Sequence, residues 1–376
     1  MSSVFKEGLE DIVVSTSEIC FIDGREGRLL YRGYDVDELV QHSSFEEVVY
    51  LLWNGTLPSR KDLEAHVKTL NSTANRKLPP KLVTMLRQLP KKTTPMEVLR
   101  TGVSALAAFD PDAADNSREA TTRKAIRLTA QMPTLVAAWE RLRRGKTPVA
   151  PNPKLSLAGN FVYMLSGKKP TDLATKTFDV ALILHADHEF NASTFAARVT
   201  AATLSDLHSA IVSGIGALKG PLHGGANEQV MRMVEQIKTP ERADAWIRKA
   251  LADKARIMGF GHRVYRVEDP RAKHLRRLAS ELGKQVGNTS YVKILDTVAR
   301  VVTEEKKIYP NVDLYSGAAY ASMGIPTDEF TPIFAMSRVA GWAAHVLEQH
   351  AHNRLIRPRA EYTGHARQQY VPIERR

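Results

Sequence analysis

The chain is poor in cysteine and has no long apolar run. Cys20 is the single cysteine among 376 residues, which excludes an intramolecular disulfide and any site that needs several thiolates. No apolar run approaches the ~18 residues that span a bilayer. Residues 1–11 also lack the apolar core of a signal peptide. Since 43% of the residues are hydrophobic and 25% charged, we expect a globular cytoplasmic protein with two or more domains.

Acidic residues are in deficit. The sequence has 53 basic and 41 acidic residues, so its formal net charge is +12. A basic protein can bind nucleic acid or attract small anions towards a cleft. Proteins that bind nucleic acid concentrate lysine and arginine on one face, whereas here the only clusters are short, at 141–146 and 354–359. We therefore expect anionic small molecules as partners, and neither nucleic acid nor a membrane.

Strand-like alternation is confined to the region near the N-terminus. There, residues 12–14 and 19–22 flank serine and threonine and precede turn residues, which predicts a small β-hairpin. Ser44 and Pro95 stand where helices should begin. Helical periodicity extends over 133–144, 154–166, 176–186, 192–217, 227–237, 241–257, 270–285, 289–306, 314–322 and 332–350. The predicted fold class is all-α. Small residues crowd 203–218, which suits either a packed core or a subunit interface.

Two histidines and two carboxylates lie together at 185–189, between apolar stretches. Polar groups buried without partners cost roughly 2–7 kcal/mol, so this cluster needs ligands or internal hydrogen bonds. Metal binding is one explanation, but the order His-x-x-His-Glu matches neither zinc-protease motif. A polar cluster at a helix bend explains the segment equally well.

His223 and His262 each lie in a glycine-rich loop. His223 precedes a helical run, and a helix N-terminus lowers the pKa of an imidazole and favours a neutral donor. His262 is followed nine residues later by Arg271 at a predicted helix start. Histidine and arginine together suit an anion with a polarised carbonyl. A turn histidine and a solvated basic loop are the structural alternatives. No nucleotide-binding glycine motif is present.

Asp313 and Arg338 are the remaining candidates. Asp313 stands just ahead of a predicted helix, where an aspartate most often caps the helix but can also serve as a base. Arg338 is the only formally charged residue between positions 330 and 347 and shares a helical stripe with Phe334 and Gly341. Because a buried guanidinium without a partner is costly, Arg338 should meet a carboxylate from the protein or from a ligand.

In their order along the chain, these segments resemble the signatures of the citrate synthase family. The matching runs are Gly-Pro-Leu-His-Gly-Gly-Ala-Asn at 220–227, Gly-Phe-Gly-His-Arg-Val-Tyr-Arg at 259–266, Asp-Pro-Arg at 269–271, Asn-Val-Asp at 311–313, Ser-Arg-Val-Ala-Gly-Trp at 337–342 and Arg-Pro-Arg-Ala at 357–360. Tyr-Arg-Gly-Tyr-Asp at 31–35 and Tyr-Leu-Leu-Trp-Asn-Gly at 50–55 are similar to the short bacterial and archaeal branch. The resemblance covers about residues 8–373 and is most specific in the C-terminal half.

The resemblance implies an acyltransferase of the tricarboxylic acid cycle that condenses acetyl-CoA with oxaloacetate and water, giving citrate and CoA. It assigns proton removal to Asp313, a hydrogen bond to the thioester oxygen to His223, and polarisation of the ketone to His262. The residues that would bind carboxylates are His188, Arg271, Arg338 and, from the second subunit, Arg357. Contacts to the coenzyme are expected, from charge and neighbourhood, at Lys254, Arg256, Gly259 and Arg263. Acetyl-CoA is a cosubstrate here; no metal and no tightly bound cofactor are expected.

A domain organisation also follows from the resemblance. A large helical domain would comprise residues 1–224 and 325–376, with a smaller helical domain at 225–324 inserted in it and closing over the substrates. Since the sequence lacks the N-terminal extension of the hexameric branch, a homodimer without that branch's nicotinamide-nucleotide control is expected.

Three other functions stay open. 2-Methylcitrate synthases share all these motifs, and the extra methylene of propionyl-CoA is worth only ~1–3 kcal/mol in a pocket. A helical metal-dependent hydrolase is the alternative from a different class; its ligands would be His185, His188, His223 and His262. A non-enzymatic basic scaffold is the third.

Overall fold

A computed structural model describes residues 6–9 and 12–376, and within this part the fold is almost entirely helical. The all-α prediction is confirmed. The predicted absence of a signal peptide concerns residues 1–11, most of which lie outside the described part. The helices are α1 Val36–His42, α2 Phe45–Asn54, α3 Arg60–Asn71, α4 Thr73–Arg76, α5 Pro80–Gln88, α6 Pro95–Leu106, α7 Arg118–Arg143, α8 Leu157–Ser166, α9 Asp172–His185, α10 Ala192–Ala201, α11 Leu207–Leu218, α12 Ala226–Ile237, α13 Pro240–Ala252, α14 Pro270–Gln285, α15 Ser290–Lys306, α16 Val312–Ser322 and α17 Phe330–Ala351. No helix of the described residues combines the length and the apolarity that crossing a bilayer requires.

The predicted hairpin exists, but with a different second strand. Strand β1 (Cys20–Asp23) pairs antiparallel with β2 (Arg28–Tyr31), and the short β3 (Tyr34–Asp35) pairs with β2. The turn is held by the Asp23 carboxylate, which accepts hydrogen bonds from the backbone amides of Arg25 and Glu26, at 2.9 Å each. Residues 12–14, predicted as a strand, are exposed and have no regular structure.

Local signals set several helix boundaries as predicted. The Ser44 side chain caps α2, which stops ahead of Gly55. A φ of 86° at Gly55 explains the stop, because glycine tolerates the left-handed region. Pro95 begins α6, and Thr94 forms a capping box with Glu97 there. By contrast, α3 to α5 and the first half of α7 were not predicted from the periodicity.

The single helix predicted at 192–217 is wrong: two helices, α10 and α11, occupy this range and pack against each other. Leu204 has a φ of 63°, which ends the first helix, and the Asp206 side chain caps the second. Neither glycine nor proline marks the break. In α11, a Cβ at Gly214 would lie 2.9 Å from the ring of Trp342 in α17, so the small residue allows close helix packing there. Gly216, on another side of α11, has open space.

Helix α17 is the centre of the fold. It is buried from Phe330 to Leu347 and packs against α2, α7, α9, α10 and α11. Helices α12 to α16 pack mainly on one another, while α14 also contacts α9 and α12 contacts α17. This second group corresponds to the range 225–324 predicted as the small domain. That it moves as a unit stays a prediction.

Candidate active site

A cavity of about 960 Å³ lies where the α12–α16 group meets α17 and the loop between α9 and α10. Six of the predicted catalytic and substrate-binding residues line it, although they come from separate parts of the chain: His188, His223, His262, Arg271, Asp313 and Arg338. The convergence could not follow from any single motif, because the residues come from separate loops and helices.

The loop that carries His188 follows the C-terminus of α9, where the last carbonyls of a helix lack helical partners. Helix α17 supplies those partners. The Arg338 Nε donates to the carbonyl of His185 at 2.7 Å, and the Gly341 amide donates to that of Ala186 at 3.1 Å. A Cβ at Gly341 would lie 2.4 Å from the Ala186 oxygen, so only glycine permits this contact. The Ser337 hydroxyl also donates a hydrogen bond to the carbonyl of Leu182 at this helix end. The Tyr31 hydroxyl lies within hydrogen-bonding distance of the carbonyls of Ile183 and Asp187.

His262 is held as a neutral donor by its own loop. The backbone amides of Val264 and Tyr265 donate to its Nδ1 at 3.0 Å and 3.2 Å. A ring nitrogen that accepts carries no proton, so the proton of the neutral ring lies on Nε2. Burial, followed by the positive charge of Arg271, lowers the pKa of His262 to about 4. At neutral pH the ring can therefore donate one hydrogen bond, through Nε2.

His223 has the opposite tautomer. The amide of Ser193 donates to its Nε2 at 3.3 Å, and the Ser193 Oγ lies 2.9 Å from the same nitrogen. The proton of the ring is therefore on Nδ1. Burial, followed by the charge of Arg338, lowers the pKa of His223 to about 4. The lowered pKa agrees with the sequence prediction, and burial and the charge of Arg338 both contribute to it.

Asp313 lies in the first turn of α16, and it is not the cap. The cap is Asn311, whose side chain accepts from the Asp313 amide at 3.0 Å. The Asp313 Oδ1 is shielded from solvent and has no hydrogen-bond partner. Burial raises the pKa of the Asp313 carboxyl to about 7, although the charge of Arg271 works against the shift. A carboxylate of this kind is a stronger base than an ordinary aspartate.

Two buried guanidinium groups border the cavity, and they differ in their partners. Arg271 pairs with Asp269, through Nε to Oδ1 at 2.9 Å and Nη2 to Oδ2 at 2.7 Å, which leaves its Nη1 outside this pair. Arg338 forms no salt bridge with any carboxylate in the described part of the chain. Its Nη1 is buried without a partner, and its Cζ lies 4.8 Å from the centre of the Phe334 ring. No carboxylate of the described residues fills the role predicted for the partner of Arg338, so a carboxylate from a ligand stays a prediction.

His188 links the two groups of helices. Its Nε2 lies 3.3 Å from the Tyr265 hydroxyl, and its ring centre is 4.9 Å from that of His262. Burial, followed by the charge of Arg271, holds the pKa of His188 well below its ordinary value, so the ring is neutral. Tyr265 was not proposed from the sequence, although the run around His262 contains it.

Some predicted residues are not brought to the cavity. Arg357 is exposed on the C-terminal segment and does not line it. Of the expected coenzyme contacts, Arg256, Gly259 and Arg263 line the cavity and Lys254 does not. Sequence reasoning missed Ser193 and the lining residues 12–15. The Asn-x-Ser helix start, in which Asn191 caps α10 and positions the serine, is a signal that could have revealed Ser193.

The four histidines of the hydrolase alternative do not form a ligand set. His185 is not part of the lining, and its Nδ1 bonds to the Ala181 carbonyl at 2.7 Å. Within residues 6–9 and 12–376, no group of three or more His, Cys, Asp or Glu side chains is placed to hold a metal ion. The convergent groups instead provide one carboxyl with a raised pKa, three neutral imidazoles and two cations, a set suited to an anionic carbonyl compound.

Comparisons with known proteins agree with this geometry. A family model described as citrate synthase, C-terminal domain, matches residues 8–359. Citrate synthase 2 of Bacillus subtilis is 49% identical over 98% of each chain. The 2-methylcitrate synthase of Mycobacterium tuberculosis is 43% identical over 96% of this chain and 91% of its own. The crystal structure of citrate synthase from Pyrobaculum aerophilum superposes with a TM-score of 0.91 at 43% identity, covering 98% of this chain and 94% of that one.

Proposed function

Because this chain belongs to the citrate synthase family of acyltransferases, we propose that its cavity condenses acetyl-CoA with oxaloacetate and water to give citrate and CoA. One observation carries this assignment. A carboxylate with a raised pKa, Asp313, shares one cavity with two neutral imidazoles whose free protons lie on defined nitrogens, Nδ1 of His223 and Nε2 of His262. Base and hydrogen-bond donors are the groups that carbon–carbon bond formation from a thioester requires.

In the first step, Asp313 removes a proton from the methyl group of the acetyl thioester. This methyl is a very weak carbon acid, so the base is effective only if the thioester oxygen is stabilised at the same moment. The Nδ1–H of His223 provides that hydrogen bond. The electron pair of the broken C–H bond moves into the enolate, while the proton stays on the Asp313 carboxylate.

In the second step, the enolate carbon attacks the ketone carbon of oxaloacetate. The Nε2–H of His262 polarises the ketone oxygen, on which negative charge develops. The dianion is bound by the cations at the cavity, Arg271 and Arg338, together with His188. The ketone oxygen takes up a proton as the carbon–carbon bond forms, and release of the methyl proton from Asp313 balances this uptake. Water then adds its oxygen to the acyl carbon of the citryl thioester as the C–S bond breaks, so that citrate and CoA leave.

The coenzyme would enter along the segment 256–263. Arg256 and Arg263 supply positive charge for phosphate groups, and both line the same cavity. Gly259 has a φ of 86°, and a Cβ there would lie 2.9 Å from side-chain atoms of Leu314 and Val230. Glycine therefore keeps the loop close to α16 and leaves its backbone open to a ligand. Lys254 is exposed and lies apart from the lining.

The proposed domain division places the reacting groups on two bodies. His262, Arg271 and Asp313 belong to residues 225–324, while His188, His223 and Arg338 belong to the rest of the chain. Closure of one body on the other would assemble the set and exclude water, which protects the enolate from protonation.

A homodimer would explain the C-terminal segment, residues 352–376. Apart from a short turn at its end, this segment has no regular structure, and its large apolar side chains are exposed. The most exposed are Leu355 at 59%, Tyr362 at 79%, Tyr370 at 81% and Ile373 at 66%. Packing on a second copy would bury them and could deliver Arg357 to the partner's cavity.

The proposal is tested by measuring thiol release from acetyl-CoA and from propionyl-CoA, each with oxaloacetate. We expect a higher kcat/KM for acetyl-CoA. A higher value for propionyl-CoA would make the enzyme a 2-methylcitrate synthase, as the Mycobacterium tuberculosis relative is named, and would leave the mechanism unchanged. No release from either thioester by folded protein would refute the function.

The pH dependence of kcat/KM should report Asp313. The carboxyl must be ionised to accept a proton, and its pKa in the folded protein is about 7. We therefore expect kcat/KM to rise with pH up to about 7 and to level off above it. His223 and His262, with pKa values of about 4, should add no inflection between pH 5 and 9. A profile that is flat from pH 5 to 8 would show that Asp313 is not the base.

Subunit mixing tests the role of Arg357. Arg357→Gln and Asp313→Asn proteins should each be nearly inactive. After unfolding and refolding together in equal amounts, the hybrid dimers should recover one site, with its own Asp313 and the partner's Arg357 intact. Random pairing then predicts roughly a quarter of the wild-type activity. If the mixture stays as inactive as its components, Arg357 acts within its own subunit.

A further inference from the structure

Four buried or half-buried polar side chains form a continuous chain behind the His188 loop: Asp187, His345, Arg198 and Glu348. None of them lines the cavity. Asp187 and His345 are fully buried, and Arg198 is 2% exposed. A network of this kind is costly to bury unless every member is paired, so its presence beside the site calls for a role.

His345 lies at the centre of this network with a defined tautomer. Its Nδ1 is 3.0 Å from Nη1 of Arg198, and arginine can only donate. The ring nitrogen must therefore accept, which leaves the proton on Nε2. That nitrogen lies 3.2 Å and 3.3 Å from the two oxygens of Asp187. His345 thus donates to the carboxylate of the residue directly before His188.

Arg198 is itself fixed from several sides. Its Nη1 donates to Glu348 at 2.6 Å and its Nε to Gln349 at 3.2 Å. Its Cζ lies 4.7 Å from the centre of the Phe190 ring. Glu348 in turn accepts from the amide of Glu18 at 2.9 Å. The orientation of His345 is therefore anchored on α10, on α17 and on the segment before β1.

Asp187 connects the network to the site. Burial alone would raise the pKa of this carboxyl, but the hydrogen-bonded His345 opposes that, and the pKa lies below its ordinary value. The Asp187 Oδ2 also accepts from the Glu189 amide at 3.2 Å, which fixes the turn on both sides of His188. Burial lowers the pKa of the unpaired guanidinium of Arg338, and the charge of Asp187 is the main one that opposes this lowering.

We propose that His345 is a positioning residue, which acts through Asp187 to hold His188 in place for the carboxylates of the oxo-acid substrate. The inference rests on the proposed function, because it assigns that substrate to the cavity. It predicts a selective effect: loss of the His345 hydrogen bonds should weaken binding of oxaloacetate and leave the coenzyme segment 256–263 unaffected.

The test compares His345→Gln with His345→Phe. A glutamine side chain can donate to Asp187 through its amide nitrogen and accept from Arg198 through its oxygen, whereas phenylalanine can do neither. We expect His345→Phe to raise the KM for oxaloacetate by about tenfold to a hundredfold, with the KM for acetyl-CoA changed by less than about threefold. His345→Gln should stay within about threefold of wild type for both substrates.

Hydrogen exchange of the peptide spanning 186–191 provides a readout that needs no turnover. Its amides should exchange faster in His345→Phe and at the wild-type rate in His345→Gln. If His345→Phe does not fold, Arg198→Leu, which frees the ring without altering Asp187, should raise the same KM in the same direction. Equal effects of the phenylalanine and glutamine variants would overturn the inference. An unchanged KM for oxaloacetate in His345→Phe would also overturn it. If that variant does not fold, the same outcome in Arg198→Leu decides the question. Inactive wild-type protein would refute the proposed function instead, and the exchange data would still decide whether His345 holds the loop.

Discussion

Asp313→Asn is expected to lower kcat for CoA release by about a hundredfold to ten-thousandfold, while the Kd for oxaloacetate changes by less than about threefold. An amide of the same shape cannot accept the methyl proton, and no other carboxylate lines the cavity except Glu189, which stands on the opposite loop beside His188. Stopped-flow measurement of thiol release gives kcat, and calorimetric titration with oxaloacetate gives Kd.

The same variant should be more stable than the wild type above neutral pH. The pKa of Asp313 is raised to about 7 in the folded protein, so the folded state binds more protons than the unfolded state between about pH 4 and 7. The free energy of unfolding contributed by this group therefore falls as pH rises through that range. Asparagine has no charge to bury, so we expect the Tm of Asp313→Asn to exceed that of the wild type at pH 8.

A matched control is Asp244→Asn. Asp244 lies on α13, where its side chain is half-buried and pairs with Arg248 and Arg300. This change also removes one carboxylate from the α12–α16 group, yet it should leave kcat unchanged. A comparable loss of kcat in both variants would mean that Asp313 acts through the electrostatics of the whole helix group and not as the base.

Arg338→Met is expected to raise the KM for oxaloacetate at least about thirtyfold without a large fall in Tm. The Nη1 of Arg338 is buried and unpartnered in the free protein, so this cation is costly until a carboxylate arrives. Methionine fills a similar space and carries no charge. Its cost is the lost hydrogen bond from Nε to the His185 carbonyl, at 2.7 Å.

Arg76→Met is the control for Arg338→Met, and its expected effects on Tm and KM are the opposite. Arg76 is fully buried, and its Nη1 donates to the carbonyls of Asn152 and Leu155 at 2.8 Å and 2.9 Å. Arg76→Met would leave those carbonyls unpaired, at about 1–3 kcal/mol each. We expect it to lower Tm clearly and to leave the KM for oxaloacetate unchanged. Should Arg338→Met instead lower Tm as much as Arg76→Met does, Arg338 would be a structural arginine.

The sequence predicted those features that depend on neighbouring residues. Ser44 and Pro95 mark helix starts because capping and a fixed φ act within one turn. The isolation of Arg338 in an apolar helix was also visible, since a buried lone cation calls for a carboxylate from the protein or from a ligand. The two tautomers of His223 and His262 were not predictable. They are set by backbone amides, and in the case of His223 by Ser193, which is thirty positions away.

Other features depend on contacts that periodicity does not encode. The hairpin was assigned the wrong second strand because pairing with Arg28–Tyr31 is decided by the turn at Asp23. The break between α10 and α11 falls at Leu204, a residue with no turn preference. Asp187 and His345 stand 158 positions apart, so the network that links them appears only once α17 lies beneath the His188 loop.

The exposed C-terminal segment, residues 352–376, has a consequence for the recovery of activity after denaturation. Its apolar side chains are buried little by their own chain, and in the proposed homodimer they would gain burial only when two chains meet. Folding of one chain is a first-order process, whereas association is second order. Helical content should therefore return at a rate that does not depend on dilution. Catalytic activity should return later, at a rate that increases with the concentration of subunits.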